Sequence, residues 1–508
     1  MSTTILWYRR DLRLHDHAAL WHAVRDATAV IPLFILDPAH FANREVGSGR
    51  VQFLLESLSD LDDALRRCGS RLFLARGRAE DVLPQLVHAL GAAAVYHSAD
   101  IERWSGQVRD RTLARLAAEG GWRFQPFLNY FLQTDGVYDR ESWAAARTAH
   151  SKEPLYAAPE QIPTPGDLSW PEAVERFDGV PTLAELGLPA NQQAILPGGE
   201  AAGRARLETF LRHHMSAYRG SISSPSLSLS GGTSLLSPYI KFGCLSVREA
   251  VQMARGRWLT SGEAGRKGLE AWTSRLAWRD HFIQKFALYP QAEFVNLYRP
   301  FDAVRRPEDA DPALLAAWQQ GRTGYPLVDA SMRCLLQTGL LNFRMRAMLA
   351  TFLTLNLFQA WQHGAEWFMR HLLDGDACID HWQWQMQSGI TQPERAFIRG
   401  YNPTKQAHDH DPAARFIHAW LPELRPLPAP LVFQPWTLTP MEETLFGVRL
   451  DEDYPRPVVD AAATRQRALD ILQPIRQAVA AADDRAAQIN ELDGITPAVR
   501  LAEGAPAG

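Results

Sequence analysis

The sequence predicts an α/β domain joined by a long connector to an all-helical domain, and three observations support this. Short apolar runs alternate with amphipathic segments over the first ~130 residues, the mark of βαβ units. A stretch rich in proline and short polar segments follows. Beyond it, apolar residues recur three and four apart through successive long segments, the spacing of helices packed on one face. At 508 residues the chain is also too long for one ordinary core.

In chain order, strands are expected at 5–8 (ILWY), 29–36 (AVIPLFIL), 71–75 (RLFLA), 93–97 (AAVYH) and 124–128 (FQPFL). Between them VQFLLESLSDLDDALRRC and EDVLPQLVHAL carry helical spacing. Strands this apolar suit a doubly wound parallel sheet covered on both faces. GSGR at 47–50 lacks a dinucleotide fingerprint and reads as a turn before a helix. The α/β domain is assigned to residues 1–132, the connector to 133–203, the helical domain to 204–480 and a tail to 481–508. LETFLRHHMSAY, SVREAVQMARGRWL, GLEAWTSRLAWRDHFIQKFALY, PALLAAWQQG and FRMRAMLATFLTLNLFQAW are the predicted helices of the second domain. The last ~30 residues, Ala-rich and polar, are expected to form a surface helix with a loose end.

Composition excludes several classes. A net charge of −4 creates no global field for nucleic acid, so such a partner would need a local basic face. No apolar run is long enough to span a membrane, and the charged N-terminus has no cleavable signal pattern. Cys68, Cys244, Cys334 and Cys378 are scattered without a CxxC pair. That argues against disulfides, zinc or an iron–sulfur cluster and for a reducing cytoplasm.

The stretch Leu373 to Gly389, LDGDACIDHWQWQMQSG, is the most informative. Asp374 and Asp376 flank one glycine, Asp380 follows four residues later, and Trp382 and Trp384 flank one glutamine. Upstream, Arg344 and Arg346 sit in an apolar helix. Buried charge costs several kcal/mol unless paired, so these groups imply either a polar cofactor or an internal ion-pair network. Ten of the 16 tryptophans lie between Trp258 and Trp436, mostly as core. In AWTSRLAWRD, however, Trp272 and Trp278 share a helix with Arg279, which suits a flat heteroaromatic ligand bearing phosphate, or an extruded base. SLSLSGGTSLLSPYIKFG (225–242) could offer N–H groups and hydroxyls to a phosphate, but a plain N-cap by Thr233 or Ser234 is the preferred reading. AHDHDP (407–412) and His213–His214 are read as loop residues, and no metal site is expected.

ILWYRRDLRLHDH, GTSLLS, WTSRLAWRD, GRTGYPLVDASMR, NFRMRAMLATFL, the LDGD stretch and YNPTKQAHDHDP occur in an order that resembles the photolyase/cryptochrome family over most of the chain. The resemblance implies a Rossmann-like antenna domain and a helical domain holding a U-shaped FAD. By it, Tyr218 and the run Thr233, Ser234, Leu235, Leu236 and Ser237 would hold the phosphates, and Trp272 and Arg279 would line the pocket. Arg346 would pair with Asp374 beside the isoalloxazine, and Asp376 would bond the ring's polar edge. Trp384 and Trp361 match the first two members of an electron-donating chain. The outermost position falls near Glu308, with Trp318 or Tyr298 as substitutes. Asp380 stands where most photolyases have asparagine and plant cryptochromes have aspartate, facing flavin N5 as a proton source.

The implied partner is DNA with pyrimidine photoproducts, single- or double-stranded, bound by a monomer. Trp278 matches a dimer contact, whereas Arg275 replaces a glutamate, Phe343 an asparagine, Ala347 a methionine and Met386 a tryptophan. The histidine pair of (6-4) repair would fall at Phe343 and Ala347, which excludes that chemistry. Arg344, Arg399 and Gln406 match phosphate contacts, which set register but not lesion identity. The expected function is FAD-dependent, blue-light repair of cyclobutane pyrimidine dimers by electron transfer from reduced flavin. The alternative is a blue-light receptor that does not repair, and a flavin-free helical scaffold is the third reading. Ile101 to Asp110 depart from the pterin-binding pattern, with Trp104 crowding that place. A second antenna chromophore is left open, with Arg50 and Gln52 marking an alternative site.

Overall fold

The computed structural model describes residues 2–501 except 100, 102, 135–136, 167 and 496–499. β1 (Thr3–Tyr8), β2 (Ala29–Leu36), β3 (Phe73–Arg76), β4 (Ala92–Ser98) and β5 (Arg123–Phe127) form a parallel sheet in the order β5-β4-β1-β2-β3. Strand order reverses between β1 and β4, the topology of a doubly wound sheet. The connector is more than a linker. Its Arg176–Phe177 pairs antiparallel with β3 and closes the sheet edge, and Arg140–His150 forms a helix.

Alternate strand residues point to opposite faces, so the sheet feeds two cores. Ile5, Trp7, Ile31 and Leu33 pack on one side with Val82, Leu86 and Leu113. On the other, Leu6, Tyr8 and Phe34 join a core that also holds Phe210, Tyr218, Tyr239 and Trp272 of the helical region. The two regions therefore share a hydrophobic cluster rather than meeting at a polar seam. The segment after β1 adds polar ties: Leu12 N donates to Phe242 O at 3.2 Å and Arg13 Nη1 to Gly243 O at 2.8 Å. A third core, with Trp318, Phe352, Trp361 and Trp384, belongs to the helical region.

Several segments differ from expectation. FRMRAMLATFLTLNLFQAW is not one helix: Phe343–Thr351 widens into a π turn at Phe352–Asn356, and Trp361 opens a separate helix, Trp361–His371. Phe358, at φ +54°, sits in the break. LETFLRHHMSAY likewise ends helix Glu200–Thr209 in a π turn, Phe210–His214, which carries both histidines. AHDHDP is largely helical, because Asn402 caps Pro403–His410 through its side chain. The Ala-rich surface helix lies earlier than expected, at Ala461–Ala481; 482–495 is mostly loop, and 496–499 and 502–508 lie outside the described residues. Among the described residues all four cysteines are free, no cluster of metal ligands occurs, and no helix is long and apolar enough to cross a membrane.

Candidate functional site

A cavity of about 910 Å3 opens among helices Glu263–Leu288, Phe343–Thr351 and Ala377–Gln387 and the turn that precedes Ser237. That is near the top of the range for cofactor sites, roughly 300–1,000 Å3. Its floor is the LDGD segment. Arg346 donates from Nη2 to Asp374 Oδ2 at 2.9 Å and from Nε to Leu341 O at 2.8 Å. Asp376 occupies the N-cap position of helix Ala377–Gln387 but makes no cap bond with its side chain. The carboxylate turns instead toward cations: Oδ1 lies 3.4 Å from Lys241 Nζ and 3.7 Å from Arg10 Nη1. A Cβ at Gly375 would stand 2.6 Å from Arg50 Nη1, which donates to Gly375 O, so a side chain there would displace that guanidinium.

Burial opposes ionisation of Asp376, but the charges of Lys241, Arg10 and Arg279 outweigh it and hold the carboxyl well below the usual range. Burial and Arg10 in turn pull the Lys241 ammonium down, against the attraction of Asp376. Three buried carboxylate oxygens on this floor, Asp374 Oδ1, Asp376 Oδ2 and Asp380 Oδ2, accept no hydrogen bond from the described residues. Each unsatisfied buried acceptor costs about 1–3 kcal/mol, so three side by side fit a ligand that brings N–H or O–H donors. An internal ion-pair network would have satisfied them.

Asp380 lies one helical turn beyond Asp376. Burial pushes its carboxyl up to about 7, with Glu45 and Asp374 adding to the rise and His381 and Arg346 opposing it. Trp384, four residues further on the same face, lines the cavity and packs edge-on against Phe368 at 4.9 Å and Trp318 at 6.0 Å. Trp361 does not line it; its ring is 5.8 Å from His381, and its Nε1 donates to Asn296 Oδ1 at 2.9 Å. Glu308 lies exposed in the turn Pro307–Asp309. Trp318 and Tyr298 are 0% and 1% exposed, so neither provides a solvent-facing exit; Trp318 instead touches Trp384.

Tyr218 and Thr233 to Ser237 line the opposite wall. The preferred N-cap reading is corrected here. The helix begins only at Ser237, with Leu236 at the cap position and no side-chain cap. Thr233 Oγ1 donates back to Ser228 O at 2.7 Å, and Ser234 Oγ accepts from Trp272 Nε1 at 3.1 Å. Leu235, at φ +49°, adopts the left-handed conformation, costly for a branched side chain and a sign that this turn is shaped for something. Arg279 lines the same cavity.

The mouth is different. Trp278 and Phe343 are 42% and 45% exposed, and Arg275, Arg344, Arg399 and Met386 surround them. Gln406 is buried and accepts from Arg344 Nη1 at 3.4 Å, so it reaches the opening only through that arginine. Sequence reasoning missed Lys241, Arg10 and Arg395. The signals were a lone lysine in the apolar run SPYIKFG and the second arginine of YRRD. In the α/β region, Arg50 is engaged by Gly375 and Glu45 carbonyls, and Gln52 by Glu56. Around Trp104, Arg103 pairs with Glu45 and Glu293, and Arg111 covers the indole at 4.3 Å; Glu102 lies outside the described residues.

Two family models match the chain: DNA photolyase over residues 4–140, and the FAD binding domain of DNA photolyase over 272–474. A cryptochrome DASH of Gloeobacter violaceus is 34% identical, covering 90% of this chain and 93% of the relative. A deoxyribodipyrimidine photo-lyase of Synechococcus is 32% identical, covering 94% and 98%. Among solved structures, a bacterial class III photolyase from Agrobacterium tumefaciens superposes with a TM-score of 0.83 at 26% identity, covering 94% and 98%.

Proposed function

The chain belongs to the DNA photolyase and cryptochrome family, with FAD as its cofactor, and from that premise we propose that it repairs cyclobutane pyrimidine dimers in DNA under blue light. One observation carries the reading. The flavin cavity is not closed over; it opens between two exposed aromatic rings, Trp278 and Phe343, and a rim of arginines. Aromatic faces receive a base taken out of its stack, and arginines bind the phosphates on either side. A receptor without a nucleic-acid substrate has no use for that combination.

When bound and reduced, FAD supplies the electron that splits the dimer after absorbing light. The protein's part is placement. Asp374 and Asp376 would offer their free oxygens to the ring's donors, with Arg346 fixing Asp374. The turn from Thr233 to Ser237 would hold the phosphates, with Trp272 fixing Ser234 in place. Trp384, which lines the cavity, would pass to the flavin an electron drawn from a reductant in solution, with Trp361 as the next member of the relay. With its carboxyl pushed up to about 7, Asp380 is partly protonated at neutral pH and would offer that proton to the ring. Arg275 would donate to a carbonyl oxygen of the dimer, in place of the glutamate found in other members.

The receptor reading draws on that same Asp380, since a proton held at the ring is what a signalling state needs. Illumination of the FAD-reduced protein with dimer-containing single- and double-stranded DNA separates the two. Repair predicts intact thymines restored in at least one substrate; none in either assigns the receptor function.

A further inference from the structure

A second recess opens behind the turn that faces the flavin cavity. It measures about 350 Å3, enough for a small ligand. Thr233 and Ser234 form part of the wall of both spaces. The recess lies between helix Glu200–Thr209 and two π turns that pack on each other, Phe210–His214 and Ser228–Gly232. π turns are rare and recur at functional sites. Gly231, at φ +100°, lets the chain pass close to the His214 ring, which would stand 3.5 Å from a Cβ at that position.

The recess is cationic. Arg206 and His214, both half-buried, line it, and among the described residues no acid does. Arginines nearby in the chain are paired, Arg204 with Glu249 at 2.5 Å and Arg212 with Glu208 at 3.6 Å. Arg206 instead donates to the Tyr239 hydroxyl, and among the described residues it has no carboxylate partner. A guanidinium without an acid, an imidazole and a serine hydroxyl in one recess are the groups a phosphate binds.

Ser234 ties this recess to the flavin side. Its oxygen accepts from Trp272 Nε1 at 3.1 Å, and among the described residues its single O–H has no acceptor. That proton can go to an anion in front of the turn or to one behind it, not to both. Two anions on either side of one turn also repel each other. Phe210, in the wall of the recess, packs on Trp272 at 5.3 Å and on Tyr218 at 5.6 Å, both of which line the flavin cavity.

We propose that the recess at Arg206 and His214 is a second anion site, which takes the terminal phosphate of a small phosphorylated molecule and weakens the hold on FAD through Ser234. A terminal phosphate enters such a recess end-on, whereas a DNA phosphodiester carries a sugar on each side. The proposal rests on the reading of Thr233 to Ser237 as the holder of the FAD phosphates, and deepens it with a ligand that regulates that hold. By linkage, FAD weakens the second anion by the same factor.

The FAD-loaded protein is titrated calorimetrically with inorganic phosphate at constant ionic strength, with chloride as the control. The FAD dissociation constant is measured in parallel from flavin fluorescence. We expect a saturable heat and, at saturating phosphate, a dissociation constant raised roughly fivefold, the low end of coupling between sites. Arg206→Gln should lose the heat and the effect on FAD together. This variant folds, because Arg206 is half-buried and Tyr239 keeps its bond to Pro197 O at 2.7 Å. Ser234→Ala should keep the heat and show a smaller effect on FAD; an equal effect overturns Ser234 as the route. No saturable heat in wild type, or the same heat in Arg206→Gln, overturns the site. Heat that depends on Arg206 while the FAD dissociation constant stays unmoved keeps the site and overturns the reading of the turn as phosphate holder. Displacement of phosphate by an oligonucleotide without terminal phosphates overturns the small molecule as occupant in favour of a DNA backbone.

Discussion

The floor and the mouth of the cavity are built on opposite principles. On the floor, Asp374, Asp376 and Trp384 are almost fully buried, fixed by Arg346, Lys241, Arg10 and Phe368, and within a few residues of one another in sequence. At the mouth, Trp278, Phe343 and Arg399 come from three separate segments and stand in solvent; Trp278 and Arg399 match the family resemblance, whereas Phe343 and the neighbouring Arg275 and Met386 depart from it. Buried, mutually paired groups tolerate no single change, because each removal strands a partner. Exposed groups that wait for a substrate can be exchanged one at a time. The difference explains why the cofactor is legible at this evolutionary distance while the substrate must be argued.

Substitutions should separate the two zones. The largest effect is expected at Asp376→Ala, which leaves Lys241 and Arg10 without their buried counter-charge. We expect little FAD to be retained on purification and a stability loss of about 3–5 kcal/mol, read by flavin absorbance per protein and by denaturant melts. Gly364→Ala comes next. An added Cβ would overlap the Trp384 ring, forcing it aside. About 1–3 kcal/mol of stability should go, with a large fall in the rate of flavin photoreduction measured by transient absorption.

Asp380→Asn acts on pH dependence. The folded carboxyl titrates near 7, above its ordinary value of 3.8, so it carries its proton below pH 7 and loses it above. Proton delivery to the flavin should fall over about two pH units centred near 7 in wild type and show no such step in the asparagine variant. The same shift makes the unfolded chain release this proton first. Stability from Asp380 therefore declines between pH 3.8 and about 7, a decline the asparagine variant should lack. Met386→Trp at the mouth should be mildest: the flavin spectrum stays as it was, and dimer affinity shifts a few-fold at most, by direct titration. If this variant lost FAD, the separation of floor from mouth would fail.

Periodicity and turn chemistry located the five parallel strands to within two residues at each end, because β-runs such as AVIPLFIL follow local rules, although GSGR is not a turn before a helix: the helix already begins at its Ser48. The breaks inside predicted helices did not show. FRMRAMLATFLTLNLFQAW keeps an apolar pattern straight through its π turn, and nothing local marks Phe358 as left-handed. At the site, the aspartates and arginines were legible because buried charge is rare enough to stand out. Arg10 and Lys241 were not, since their partner Asp376 lies more than a hundred residues away, and pairing across a chain leaves no local trace. Arg476, whose buried guanidinium donates to Gly389 O from helix Ala461–Ala481, stayed hidden for the same reason.

The most direct test of a cofactor floor beneath a substrate mouth is titration of the FAD-loaded protein with DNA in the dark, followed through the flavin absorption bands. The account predicts a saturable shift with dimer-containing DNA, absent with undamaged DNA and weakened in Trp278→Ala. Equal binding of damaged and undamaged DNA with the flavin bands unmoved would contradict it.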